Sequence, residues 1–123
     1  MTDSYPNRLV WTEIPTADLV AAKAFYEAVL GVEMTIDEDG PNPLAVFPYP
    51  GGTGASGHLY PGTPAKAGEG ITAHLAVDDA LPAVMDRVRD AGGEVVSETI
   101  TIPAGSFFYA IDPDGNSVSF FKV

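Results

Sequence analysis

The sequence predicts an α+β fold built as two βαβββ modules in tandem, with the helices on the outer face of a curved mixed sheet around a cleft. Three observations point there. The order strand, helix, strand, strand, strand reads twice along the chain. A shift of about 61 residues lays Asp18 on Asp79, Gly31 on Gly92, Glu33 on Glu94 and Gly54 on Gly115. The chain has 123 residues, of which 46% are hydrophobic, enough for one core but not for two full-size domains. A single domain is therefore expected over residues 1–123, with module one at about 8–61, a linker at 62–70 and module two at 71–123.

Arg8 to Ile14 alternates and reads as a strand that Pro15 ends. Asp18 is a natural N-cap, since its carboxylate accepts from free N–H groups of the next turn. Leu19 to Leu30 follows as a helix, closed by Gly31 in the left-handed conformation. Lys23 and Glu27, four apart, mark its solvated edge. Three short strands are expected at Glu33 to Asp37, Leu44 to Phe47 and Gly57 to Tyr60, separated by turns rich in Gly, Pro, Asp and Asn. In the second half Ile71 to Val77 is a strand. Asp78 or Asp79 caps the next helix, with Pro82 in its first turn and Gly92-Gly93 at its end. Leu81, Val84, Met85, Val88 and Ala91 form its apolar stripe. Strands are expected at Glu94 to Ile102, Ser106 to Ile111 and Asn116 to Lys122. The Asp112-Pro113-Asp114-Gly115-Asn116 segment joining the last two reads as turn chemistry alone.

Composition narrows the partners. There are 17 acidic and 6 basic residues, for a formal net charge of −11. The basic residues are scattered, so no cationic face meets a nucleic acid or an anionic membrane. Charge favours a cationic or neutral small molecule. Without cysteine there is no disulfide framework, no thiolate metal site and no cysteine nucleophile. No membrane-length apolar run and no leader pattern is present, and the expected location is cytoplasmic. No phosphate loop or nucleophile elbow is recognisable.

Alternation sorts each strand into two faces. One set (Ile14, Leu59, Leu75, Val118 and Phe120 among them) suits packing under the helices. The opposite set is Trp11, Glu13, His58, Tyr60, Thr72, His74, Ser117, Ser119 and Phe121. Aromatic walls with a few convergent polar groups suit a small-ligand cleft. The duplication makes Glu13 and His74 equivalent, and likewise His58 and Ser119, so all four are expected around one pseudo-two-fold axis in one cavity. Glu13 suits a general base or a plain hydrogen-bond acceptor; His58 and His74 suit acid–base work or structural hydrogen bonding.

Two strings carry a resemblance. Glu13-Ile14-Pro15 through Asp18, with Ala24-Phe25-Tyr26-Glu27-Ala28-Val29-Leu30-Gly31, resembles the opening of a vicinal-oxygen-chelate domain, of the glyoxalase, bleomycin-resistance and dioxygenase superfamily. Val77-Asp78-Asp79 with Ala91-Gly92-Gly93 resembles the start of its second module, and Asp112 to Asn116 its closing hairpin. The resemblance implies curved sheets enclosing a cleft, and a homodimer. Metal-dependent relatives place ligands at four strand positions, which map onto Trp11, His58, Thr72 and Ser119; only His58 is a good ligand. No cofactor is therefore expected. A two-residue shift would offer Glu13, His58 and His74 as a divalent-metal set.

Three functions are consistent with this reading. The first is a lyase or isomerase acting on a small carbonyl or hydroxy compound, with Glu13 and a histidine as acid and base. The second is a metal-free protein that sequesters a ligand, as antibiotic-resistance members do. The third is a divalent-metal enzyme using Glu13, His58 and His74.

Overall fold

A computed structural model describes residues 8–52 and 54–123. Module one comprises β1 (Trp11–Thr16), α1 (Leu19–Leu30), β2 (Thr35–Asp37), β3 (Leu44–Val46) and β4 (Ser56–Pro61). Module two comprises β5 (Ala73–Ala76), α2 (Leu81–Asp90), β6 (Glu94–Val95), β7 (Ile100–Ile102), β8 (Gly105–Ile111) and β9 (Ser117–Lys122). The first sheet has the order β1-β4-β3-β2, and the second β5-β9-β8-β6 with β7 also on β8. In each, the first strand runs parallel to the last and the remaining pairs are antiparallel. The registers match as well. Glu13 faces His58 and His74 faces Ser119, the partner lying the same distance along the chain in both. The internal repeat is therefore real at the level of strand pairing, not only of turn residues.

The caps of α1 work as its sequence requires. Asp18 accepts from Ala21 N at 3.1 Å, and Gly31 adopts φ 69°, ψ 37° while its N–H reaches Glu27 O at 2.9 Å. Ala22, Phe25, Tyr26 and Val29 of α1 join Leu81, Val84 and Val88 of α2 in one continuous core with Ile14, Ala45, Leu59, Phe108, Ala110, Val118 and Phe120. Arg87 Nε donates to Val29 O at 3.1 Å, tying the helices directly. No helix among the described residues is long and apolar enough to cross a membrane.

Several boundaries differ from expectation. Pro15 does not end β1, which continues to Thr16. The strand lies at a sheet edge with β4 as its one neighbour, where a missing N–H costs no ladder bond. Neither Asp78 nor Asp79 caps α2: Ala80 is the N-cap, without a side-chain bond, and Asp79 binds Arg87 Nη1 at 2.7 Å instead. The expected strand Glu94 to Ile102 splits, because the Ser97 hydroxyl accepts from Tyr109 N at 2.8 Å and replaces a backbone carbonyl in the ladder.

The Asp112 to Asn116 turn is more than turn chemistry. Asp112, 4% exposed, accepts from Asp114 N and Asn116 N through Oδ1. Its Oδ2 accepts from the Tyr26 hydroxyl of α1 at 2.5 Å. Asp114 accepts from Thr16 Oγ1 at 2.5 Å and from Ala17 N at 3.0 Å, and Asn116 Nδ2 donates to Pro15 O at 2.8 Å. The closing hairpin of module two thus clasps the end of β1 and the middle of α1.

Candidate functional site

The alternation of β1 and β4 puts Trp11, Glu13, His58 and Tyr60 on the face away from the core, while Ile14 and Leu59 go inward. On that face Trp11 Nε1 donates to His58 Nδ1 at 2.9 Å, and His58 Nε2 lies 3.2 Å from Glu13 Oε1. His58 is 8% exposed, whereas the Glu13 side chain is 64% exposed. The imidazole is buried between an indole and a carboxylate, and the carboxylate meets solvent. Tyr60 and Tyr49 complete the surround, the first edge-on to His58 at 6.1 Å and the second edge-on to Trp11 at 5.2 Å.

The equivalent face of module two is built differently. His74, exposed, stands edge-on to Phe107 at 5.2 Å and to Tyr109 and Phe121 at 6.0 Å. Phe107 and Phe121 stack at 5.4 Å. Thr72 and Ser117 share a 2.5 Å hydroxyl–hydroxyl bond. Ser119 lies between His74 and Tyr109 in the sheet, fully buried, with no partner for its Oγ among the described residues.

Two spaces adjoin these faces. A hollow of about 690 Å³ is lined by Trp11, His58, Phe47, Tyr49 and the acidic run Asp37, Glu38 and Asp39. A groove of about 750 Å³ runs between the edge strands β1 and β5 and is lined by Trp11, Glu13, Thr72, His74 and Ser117. The expected single cavity is therefore corrected. Both helices join one shared core, and the polar residues of the two sheets meet only in part. Glu13 and His74 line the groove, His58 stands behind Glu13 at the hollow, and Tyr60, Ser119 and Phe121 line neither.

Glu13, His58 and His74 are likewise divided between the two spaces. His74 does not join Glu13 and His58, and no group of three His, Cys, Asp or Glu side chains among the described residues is placed to hold an ion. The four positions that the resemblance maps fit no better. Trp11 has no lone pair to offer and spends its N–H on His58, the Thr72 hydroxyl is paired to Ser117, and Ser119 is a neutral hydroxyl.

Some residues around the two histidines are not singled out by the alternation of the other strands. Phe107 and Tyr109, which surround His74 without lining either space, share one face of β8 by alternation. Tyr49 and the acidic run Asp37 to Asp39 sit mainly in irregular chain, where no periodicity marks a facing direction.

Comparison with known proteins agrees with the architecture. The sequence pattern of the Glyoxalase/Bleomycin resistance protein/Dioxygenase superfamily matches residues 8–120. Proteins of Mycobacterium bovis and Mycobacterium tuberculosis named "Putative glyoxylase CFP32" are 29% identical over 91% of this chain, which spans 44% of their length. A glyoxalase/bleomycin resistance protein from Albidiferax ferrireducens superposes with a TM-score of 0.68 at 21% identity, covering 95% of this chain and 99% of its own. Lactoylglutathione lyase from Agrobacterium tumefaciens gives a TM-score of 0.62 at 23% identity, covering 96% and 95%.

Proposed function

From the premise that the chain belongs to the glyoxalase/bleomycin resistance/dioxygenase superfamily, we propose that it binds a small carbonyl or hydroxy compound in the groove between β1 and β5 and moves a proton on it, an activity of lyase or isomerase type. The observation that carries this reading is the Glu13 carboxylate, open to the groove and held from behind by His58 at 3.2 Å. As general base, Glu13 takes the proton from the carbon beside the carbonyl, and the C–H electron pair moves into an enolate. Returning that proton elsewhere on the substrate leaves no net redox change. The step needs no metal, and we propose that the protein works without one or any other cofactor.

The test is a screen of small 2-oxo and 2-hydroxy compounds for solvent deuterium exchange at carbon, followed by E13Q. The variant should lower the exchange rate by about two to four powers of ten. Exchange that survives E13Q undiminished removes Glu13 from the chemistry.

A second reading has its own support. Asp37, Glu38 and Asp39 face the hollow with Trp11 and Tyr49, an acidic and aromatic lining that suits sequestration of an organic cation without chemistry. Stoichiometric binding of a cationic aromatic ligand, weakening as salt rises and lost in D37N/D39N, would favour it over the first. In both readings the partner is a small molecule, the location cytoplasmic and the working form a homodimer. The dimer is supported by the apolar residues left on the groove rim, Leu9 at 77% and Ile71 at 95% exposure. Light scattering on the purified protein reads the mass directly.

A further inference from the structure

We infer that Trp11 is a positioning residue: its indole N–H fixes His58 as the Nε2–H tautomer, which turns the imidazole into a donor toward Glu13 and withholds both ring nitrogens from a metal. An indole N–H can only donate. At 2.9 Å from it, His58 Nδ1 must present a lone pair. The one proton of a neutral imidazole then sits on Nε2, and Nε2 lies 3.2 Å from Glu13 Oε1. The chain of bonds therefore has a direction, from Trp11 through His58 to Glu13.

Two consequences follow from that direction. Coordination through Nδ1 would displace the indole. Coordination through Nε2 would move the proton to Nδ1, straight against the indole N–H, or strip the ring to an imidazolate. Coordination by a neutral imidazole through either nitrogen therefore loses the Trp11 bond, and only an imidazolate would keep it. The first-strand position that supplies a ligand in metal-dependent relatives here carries a residue that disarms the one competent ligand. Trp11 is itself steadied by Tyr49, whose ring meets it edge-on at 5.2 Å. The second consequence concerns the carboxylate. Nε2–H holds one oxygen of Glu13, so His58 orients the base and does not relay protons through Nδ1. For the reaction, this rests on Glu13 being the group that carries the proton; for the tautomer, it rests on the Trp11 bond alone.

Long-range ¹H–¹⁵N correlation spectra of the uniformly labelled protein test it, with His74 as internal reference. In the wild type, His58 Nδ1 should show the shift of an unprotonated ring nitrogen and Nε2 that of a protonated one. In W11F the ratio of Nε2–H to Nδ1–H forms should fall by roughly three- to tenfold, the strength of one hydrogen bond, with His74 unmoved. Trp11→His removes the indole donor and adds a third donor beside Glu13 and His58; by calorimetry it should bind Ni²⁺ or Zn²⁺ at one equivalent where the wild type binds none there. A protonated Nδ1 in the wild type, which needs no variant to read, overturns the inference. So does an unchanged tautomer ratio in folded W11F, or wild-type uptake of Zn²⁺ that shifts the His58 nitrogens. Loss of the E13Q effect with the wild-type tautomer intact would instead retire the proposed reaction and leave the positioning role standing.

Discussion

Replacing Tyr26 by Phe isolates the bond on which the clasp between the modules turns. Tyr26 is fully buried, edge-on to Phe25 at 4.9 Å and to Phe47 at 5.6 Å, so a Phe ring keeps the packing and loses only the hydroxyl. What disappears is a 2.5 Å donation to the Asp112 carboxylate, itself 4% exposed. Asp112 is not stranded. Oδ2 keeps Asn116 Nδ2 at 3.0 Å, and Oδ1 keeps the N–H groups of Asp114 and Asn116. The loss is therefore one hydrogen bond to a charged group, not an orphaned buried charge, and should cost about 2 kcal/mol. For a chain of this length that is a fall in Tm of roughly 8 °C. Urea denaturation should show a lower midpoint and the same slope, since little surface changes. The difference should also depend on pH. Burial first, then the Asp112 and Asp114 carboxylates, pushes the Tyr26 phenol well above its ordinary range. The wild-type advantage is thus full below about pH 10 and fades as pH rises through the raised value. A Y26F protein within about 0.5 kcal/mol of wild type would refute the argument, because a buried charge-assisted bond would then contribute no more than an exposed pair.

Other substitutions probe the surrounding structure. Asp114→Ala removes the bonds from Thr16 Oγ1 and Ala17 N and should cost about 1–2 kcal/mol by thermal unfolding, with proteolysis at the β1–α1 link increasing. Gly57→Ala should be worse than its one methyl suggests: a Cβ there would collide with the Thr12 carbonyl oxygen, so β1 and β4 must part. A loss of about 1–3 kcal/mol is expected, together with loss of the His58–Glu13 contact in spectra. Glu27 is held below its ordinary carboxylate range by the Met34 N–H first and by Lys23 after it. Its contribution should be full above roughly pH 5 and vanish as pH falls through the lowered value, so denaturation midpoints of wild type and E27Q should converge in acid.

The repeat, the caps of α1 and the alternation of β1, β4, β5 and β9 were legible because they are local. A side-chain period of two and a capping carboxylate depend on near neighbours in the chain, and Asp18, Gly31, Glu13, His58, His74 and Ser119 all lie where that logic puts them. How the two halves meet was not legible, because it depends on which apolar surfaces find each other. α1 and α2 share one core, Glu13 and His74 line one groove between the sheets, and His58 lines the neighbouring hollow. The Trp11–His58 bond and the Tyr26–Asp112 bond span 47 and 86 residues. No period or motif encodes bonds of that reach; the folded backbone brings the partners together, and burial then makes each bond count.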